Sequence, residues 1–302
     1  MSFYLVAGTG ARTDPVPVRE HLPTQRPRRY PSDTTDEEWE IIAGLVPVGG
    51  TTSRGGRSVR YPRRDIVDAI RYVDHNGIVW RALPVDFPPW PTVYHYFRTW
   101  TRDGTLTRLH HSLREQVRHA EGRRSDPSAA IIDSQSVRAA ETVAGTSRGF
   151  DAGKKVNGRK RHIAVDTGGL LLAVLVTAAC VQDRDAARML LWALRTCFPC
   201  IRLVWADGGY AGQLLTWAAT TLKLTVQIVR KLAGHAGFTV LARRWVAERT
   251  LSWINRCRRT VRDYERLPDH HAAMVQWSMV IIMTRRLARY RTTSRSPTTQ
   301  TT

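Results

Sequence analysis

The sequence predicts an α/β chain in which a small all-α domain of helix-turn-helix type precedes a mixed sheet flanked by helices. Three observations carry that prediction. Between Ser32 and Ala120, apolar residues recur at helical spacing and are punctuated by Gly and Pro. From Ala129 onward, short β-branched runs alternate with helical patterns in the order β-β-β-α-β-α-β-α. Two of those runs end in an aspartate, Asp133 and Asp207, where open α/β sheets place their chemistry.

The chain has 302 residues, enough for two domains and a well-buried core. Its net charge of +20 argues against a metabolic enzyme and for a protein that binds a phosphate backbone. The charge thus suits a nucleic acid as partner, with no small-molecule substrate expected. Arg greatly outnumbers Lys, which genomic base composition can explain in part, but base composition does not explain the net charge. Four cysteines occur, and Cys197 and Cys200 form a C-x-x-C with no second pair to complete a zinc site. All four read as reduced structural cysteines. The N-terminus shows only the short apolar stretch Phe3 to Ala7, and the longest apolar run, Leu170 to Val181, is too short to span a bilayer. A soluble, cytoplasmic, nucleoid-associated protein without a membrane partner is expected.

Residues 1–31 are rich in Pro and Arg without periodicity and are expected to form a disordered basic arm. The front domain then covers residues 32–120. Its first helix starts near Asp33, with Thr34 or Thr35 as cap and Trp39, Ile41, Ile42 and Leu45 as its apolar side. Gly49 to Arg60 reads as a loop. Arg63 to His75 is a second amphipathic helix, stopped by Asn76-Gly77. Trp80 to Pro84 is a turn-like helix, and Phe87-Pro88-Pro89-Trp90-Pro91 a rigid connector. Thr92 to Arg102 is the helix that a helix-turn-helix bundle would offer to DNA, through Arg98 and Arg102. An even alternative is that its aromatics are core and its arginines a solvated face. A helix from Leu106 to about Ala120 closes the domain, and Glu121 to Ser128 is the boundary loop.

The second domain spans residues 129–290. Ala129 to Val137 is a buried strand, Ala-Ala-Ile-Ile-Asp-Ser-Gln-Ser-Val. A Gly- and Lys/Arg-rich segment follows, carrying Lys154, Lys155, Arg159, Lys160 and Arg161, and runs into a strand at His162 to Asp166. Thr167-Gly168-Gly169 is a hairpin turn and Leu170 to Val181 its partner strand. Asp183 caps a helix with Ala186, Met189, Leu190, Ala193, Leu194 and Cys197 at helical spacing. Ile201 to Ala206 is a strand, Tyr210 to Leu222 a helix, and Leu224 to Val229 a strand. A long Arg-rich helix runs from Thr239 to about Asp263, and a final helix from His270 to Tyr290. Residues 291–302 form a disordered tail.

In this topology the Asp133 and Asp207 strands are expected to be parallel neighbours, with both carboxylates at one sheet edge. Two such acids repel unless a cation sits between them, and Mg²⁺ suits carboxylates, phosphate oxygens and water. Gly208 and Gly209 let a backbone or phosphate approach closely. Asp166 and Asp185 are less well placed. The long helix supplies Glu248, on one stripe with Arg244 and Asn255. Arg244 and Glu248 read either as a helix salt bridge or as a phosphate-gripping residue beside a metal-ligating acid. The surplus of arginines at 243, 249, 256, 258, 259 and 262 favours the second.

Five stretches carry a family resemblance: Trp80-Arg81-Ala82-Leu83-Pro84 with Phe87-Pro88-Pro89-Trp90 and Thr92-Val93-Tyr94; Ile132-Asp133-Ser134-Gln135-Ser136-Val137; Gly153 to His162; Asp207-Gly208-Gly209-Tyr210; and Arg244-Trp245-Val246-Ala247-Glu248-Arg249. Each is weak alone, and their order is specific. The chain resembles bacterial insertion-sequence transposases of the DDE class, whose catalytic domain has the RNase H-like fold. The resemblance implies that Asp133, Asp207 and Glu248 are the catalytic, metal-holding triad. It further implies two Mg²⁺ ions, with Mn²⁺ able to substitute, and cleavage of double-stranded DNA at the element's ends followed by joining to a target. Arg244, Arg249, Asn255, Lys154, Lys155, Arg159, Lys160 and Arg161 would contact DNA, and a homodimer would form on it. The family pattern around the Glu has a Tyr where Leu241 stands and a Lys where Asn255 stands.

Overall fold

The computed structural model describes residues 4–7, 22–24, 26–47, 60–229 and 242–295. These fall into two compact units: Tyr4–Ala7 with Asp126–Met279, and the residues from Leu22 to Ser125 together with those from Val280 onward.

In the helical unit, α1 (Asp36–Ile42) is capped by Thr35, whose hydroxyl accepts the Glu38 N–H at 3.1 Å, and its acidic first turn suits the positive end of the helix dipole. α2 (Arg63–Asn76) ends as its sequence predicts. Gly77 takes φ 72° and its N–H returns to the Val73 carbonyl. α3 (Trp90–Arg102) buries Val93, Phe97 and Trp100 and leaves His95, Arg98 and Arg102 exposed. Phe97 and Trp100 are therefore core, and Arg98 and Arg102 lie on the surface. α4 (Thr105–Ala120) follows after a tight Asp103-Gly104 turn. The predicted loop at 49–60 lies outside the described residues up to position 59.

The expectation of a disordered arm over residues 1–31 needs correction in two places. Tyr4–Ala7 form a strand, β1, and Arg26 is a buried anchor of the helical unit. Its guanidinium is 2.7 Å from Asp33 and 3.6 Å from both Asp68 and Asp86, and it lies over the Phe87 ring at 4.1 Å. The basic composition of the arm concealed one arginine for which three carboxylates are provided.

The second unit is built on β2 (Ala129–Arg138), β3 (Gly149–Asp151), β4 (Val156–Val165), β5 (Leu171–Ala178), β6 (Leu203–Ala206) and β7 (Thr225–Ile228). The sheet order is β1-β5-β4-β2-β6-β7, with β3 on β4. β1, β5, β4 and β2 pair antiparallel, whereas β2–β6 and β6–β7 are parallel. This is the predicted mixed sheet, and the strands carrying Asp133 and Asp207 are parallel neighbours. Side chains alternate across it. Ala130, Ile132, Val204 and Ala206 face a core shared with Leu190, Leu194 and Phe198 of the region of α5 (Asp183–Cys197). α6 (Gln213–Trp217) precedes β7, and α7 (Ala242–Ile254) packs against β2, β4 and β6.

Two predicted boundaries change. β4 begins at Val156 rather than His162, so the Lys/Arg-rich tract lies inside a central strand. The single long helix to Asp263 is two: α7, then α8 (Arg258–Val261). The Thr260 hydroxyl bonds the carbonyls of Ile254 at 2.7 Å and Cys257 at 2.8 Å, which satisfies the end of α7 and turns the chain back. α9 (Pro268–Arg295) is the last helix and extends into the predicted tail; residues 296–302 lie outside the described residues. The four cysteines are reduced thiols. No helix among the described residues is long and apolar enough to cross a membrane.

Candidate active site

The β2–β6 register aligns the two aspartates. Ile131 pairs with Trp205, and Asp133 and Asp207 each stand two residues further along. Two residues is one full pleat, so both carboxylates leave the same face at the same level, on strands about 5 Å apart. Asp207 keeps the extended conformation (φ −81°, ψ 178°) and caps the turn Gly208–Tyr210 by accepting the Gly209 N–H at 2.8 Å. Asp133 accepts the Ser134 N–H at 2.7 Å. Both are half-buried.

The face they share is the one covered by α7. Three anchors set that helix. Near its start the Arg243 guanidinium lies 4.3 Å over the Trp205 ring of β6. Further along, the Thr250 hydroxyl donates to the Gly169 carbonyl at 2.8 Å and Arg249 to that of Gly168 at 3.0 Å, both in the β4–β5 turn. Just past its end, Asn255 accepts from Arg161 at 2.6 Å. Ala247, Thr250, Leu251 and Ile254 form the buried stripe, and Glu248 is exposed beside it. Glu248 is thus on the helix that packs over the face carrying both aspartates. Among the described residues, no three His, Cys, Asp or Glu side chains stand together closely enough to hold a metal ion. Asp133 and Asp207 are level, and the third acid is on their side without closing a compact cluster. Carboxylate oxygens are the donor set that suits Mg²⁺, and the charges of Asp133 and Asp207 meet at a buried tyrosine. Burial above all, then the negative charges of Asp183, Asp133 and Asp207, push the Tyr210 hydroxyl well above its ordinary pKa.

Several predicted DNA contacts are corrected. Arg159 and Arg161 are fully buried. Arg159 pairs with Asp263 at 2.9 Å and bonds the carbonyls of Ser147, Glu265 and Arg266. Arg161 holds Gln135, the Thr260 carbonyl and Asn255. Lys160 is buried between Asp183 at 3.2 Å and Asp151 at 3.6 Å and donates to the Val181 carbonyl. These three side chains hold the sheet to the segments around it and are spent on internal partners. Asn255 and Arg249 are likewise engaged, the latter also lying 4.7 Å over Trp253. Lys154, Lys155, Arg98 and Arg102 are exposed. Arg244 is on α7, but its side chain, like Leu241, lies outside the described residues. Asp166 is buried and closes the β4–β5 turn by accepting the N–H groups of Gly168 and Leu170.

Three groups beside the acids escaped sequence reasoning. Asp183, read as a helix cap, accepts from the Ser134 hydroxyl at 2.9 Å. His162 is buried, with Nε2 3.0 Å from the Thr177 hydroxyl; burial first, then Lys160 and Lys154, opposed by Asp183, bring it down to about 4. Tyr210 is the third. The period-2 alternation Ser134, Ser136 opposite Lys160, His162 was the available signal, hidden because the strand was taken to begin only at His162.

Residues 124–283 match the family described as "Transposase DDE domain", and residues 34–110 match "Putative transposase of IS4/5 family". "Uncharacterized protein y4sN" of Sinorhizobium fredii is 33% identical over 113 residues, covering 37% of this chain and 82% of that protein. "Putative transposase for insertion sequence element IS402" of Burkholderia cepacia is 30% identical over 136 residues, covering 41% of this chain and 62% of that protein, so this chain spans less than two thirds of its length. No solved structure matches. With the DDE match extending over more than half of its residues, the chain belongs to the insertion-sequence transposases of the DDE family.

Proposed function

We propose that this protein binds the ends of its own insertion sequence, cleaves the DNA there and joins the 3′ ends to target DNA. The observation that carries the reading is the level placement of Asp133 and Asp207 on parallel neighbouring strands, on the face where α7 carries Glu248. Asp133 and Asp207 offer the carboxylate oxygens that suit Mg²⁺, with Mn²⁺ as a substitute, and Glu248 would join them when the ion is bound. Two such ions, when bound, supply activation of the attacking water or 3′-hydroxyl and stabilisation of the leaving 3′-oxygen. The chain's own part is positioning and charge placement, which is what phosphoryl transfer chiefly demands. A Cβ at Gly208 would meet nothing within 4 Å, so the backbone after Asp207 is open to an approaching strand. Lys154 and Lys155, exposed on the β3–β4 turn, track the phosphate backbone. Arg244 grips a phosphate near the scissile bond. In the helical domain, the open face of α3 meets the terminal repeat through Arg98 and Arg102. Because two ends must be paired, the working form is a homodimer on DNA.

The test is product analysis. Purified protein is incubated with a labelled element end, Mg²⁺ and a supercoiled target. Joined product is expected, and its loss in Asp133→Asn, Asp207→Asn and Glu248→Gln. Cleavage without joining would mark an RNase H-like nuclease. Binding alone, under Mn²⁺ as well, would mark a non-catalytic regulator or a decayed enzyme. Either outcome overturns the proposal.

A further inference from the structure

We infer that Asp183, with Lys160, is a positioning pair that sets the electrostatics of the Asp133–Asp207 site from the opposite side of the sheet. The inference rests on those two aspartates holding metal.

Asp133 leaves β2 toward α7, so Ser134 and Ser136 leave it toward α5. Their cross-strand partners on β4 are His162 and Lys160, and Lys160 in turn faces Thr177 of β5. Elsewhere this sheet face is apolar core, with Ala130, Ile132, Ala164 and Leu175. Directly behind Asp133 it becomes a patch of hydroxyls, two lysines and a histidine, Lys154 donating to the Ser134 carbonyl at 3.4 Å. Asp183, in the first turn of α5, is the hub. One oxygen accepts from Ser134 at 2.9 Å, lies 3.2 Å from the Lys160 ammonium and 3.8 Å from His162 Nδ1. Asp151 supports the pair from the other end, accepting from Ser136 at 2.5 Å and lying 3.6 Å from Lys160.

A fold does not need such a patch. Buried ion pairs are often replaced by packed apolar residues with no loss of stability, because their desolvation offsets most of their attraction. Two further observations direct the patch toward the site. Tyr210 is 1% exposed, its hydroxyl reaches the field of Asp183, Asp133 and Asp207 together, and it lies against Ser134 without a hydrogen bond of good geometry among the described residues. His162, equally buried, keeps its Nδ1 turned to Asp183 without one. Ser134 joins the two layers: its N–H holds the Asp133 carboxylate at 2.7 Å and its hydroxyl holds Asp183. A neutral Lys160–Asp183 pair leaves the Asp133–Asp207 charge intact for a cation. With Asp183 neutralised, Lys160 keeps only Asp151, at 3.6 Å, and more of its charge opposes the cation.

The test measures Mn²⁺ binding to the full chain without DNA, by the loss of the free-ion electron paramagnetic resonance signal, alongside thermal melting. Asp183→Asn preserves shape and the acceptor for Ser134 but removes the charge. Its Mn²⁺ dissociation constant is expected to rise about tenfold. Lys160→Met alone is expected to tighten binding severalfold. The double variant Asp183→Asn/Lys160→Met, neutral like the native pair, is expected to return to within about threefold of wild type. A purely structural role would give no such rescue. Asp133→Asn separates the two levels of inference. If it abolishes Mn²⁺ binding while Asp183→Asn and Lys160→Met leave it unchanged, the role of the pair is refuted and the site stands. If Asp133→Asn binds like wild type, or wild type binds no Mn²⁺, the site reading falls and the pair falls with it.

Discussion

Replacing Gly169 by Ala should disturb the site without touching an acid. Gly169 sits in the β4–β5 turn at φ +86°, a conformation that costs an L-residue roughly 1–2 kcal/mol. A Cβ there would stand 2.7 Å from the Thr250 hydroxyl, 3.1 Å from the Trp253 ring and 3.4 Å from the Arg249 guanidinium. All three belong to α7, so relief requires the helix to move, and overpacking of this kind costs about 1–3 kcal/mol. The turn cannot yield instead, because Asp166 pins the N–H groups of Gly168 and Leu170 at 2.8 and 2.9 Å. Together the terms give about 2–5 kcal/mol, which for a domain of this size lowers the melting temperature by on the order of 10 °C. Gly145→Ala is the control, with nothing within 4 Å of its Cβ and no positive φ, and should melt within about 1 °C of wild type. Since α7 also carries Glu248, a displacement near 1 Å should cost about a hundredfold in end cleavage. Calorimetry and single-turnover cleavage measure the two effects. If Gly169→Ala melts within about 2 °C of wild type, α7 is not docked through this turn and the delivery of Glu248 by it is refuted.

The basic tract should divide sharply under mutation. Arg161→Ala leaves Gln135, the Thr260 carbonyl and Asn255 without their donor and should destabilise by about 1–3 kcal/mol in chemical denaturation. Lys154→Ala and Lys155→Ala should melt normally, and each should reduce the salt dependence of DNA binding by about one unit of slope. Arg98→Ala with Arg102→Ala should weaken binding to the element end while leaving melting unchanged; equal binding would return α3 to the solvated-face reading. His110 is fully buried in α4, and burial first, then Arg114 and His111, hold it down at about 3. The unfolded chain therefore takes up its proton near pH 6.5 before the folded chain does, so its contribution is complete above pH 6.5 and is lost as pH falls toward 3. Asp68, kept at about 6 chiefly by burial, works in the opposite direction. The difference between wild type and His110→Leu in denaturation midpoints isolates the histidine, and should shrink by a few kcal/mol from pH 7 to pH 4.

Elements with one strong local pattern were legible in the chain itself. The run at Ala129 to Val137, the stop at Asn76-Gly77 and the spacing from Ala186 to Cys197 each imply one structure, and the chain forms it. The placement of Asp133 and Asp207 on parallel neighbouring strands was legible because each ends a short apolar run in an α/β pattern. The tract Arg159 to Arg161 was not legible as strand, since three consecutive cations suit a solvated, DNA-tracking segment just as well. Their partners, at Asp263, Glu265 and Thr260 on one face and Asp151 and Asp183 on the other, are distant in sequence or in segments with no pattern of their own. The same holds for Arg26, whose three carboxylates are spread from Asp33 to Asp86. Charge tells a reader that a residue needs a partner, and only the fold says whether that partner is water, a phosphate or an aspartate.

The burial of Arg159 and Arg161 also bears on how the third acid is held. Glu248 is on a helix whose side facing the sheet is thin, with Ala247, Thr250, Leu251 and Ile254 as its buried stripe. Apolar packing of that size stabilises a helix of this length only modestly. Polar anchors from the sheet supply the rest: Arg161 through Asn255, and Arg159 through Asp263, which is held in turn by His271. Burial works to raise the Asp263 carboxyl, yet His271 and Arg159 keep it below the usual carboxylate range. Such charged contacts are directional, and breaking one leaves an uncompensated buried charge. They therefore favour one placement of α7 over neighbouring ones more strongly than a sliding apolar contact would. On the proposed reading, a site that brings an exposed glutamate to two half-buried aspartates gains more from that selectivity than from extra stability. The cations least available to DNA are then the ones that decide where the third carboxylate stands.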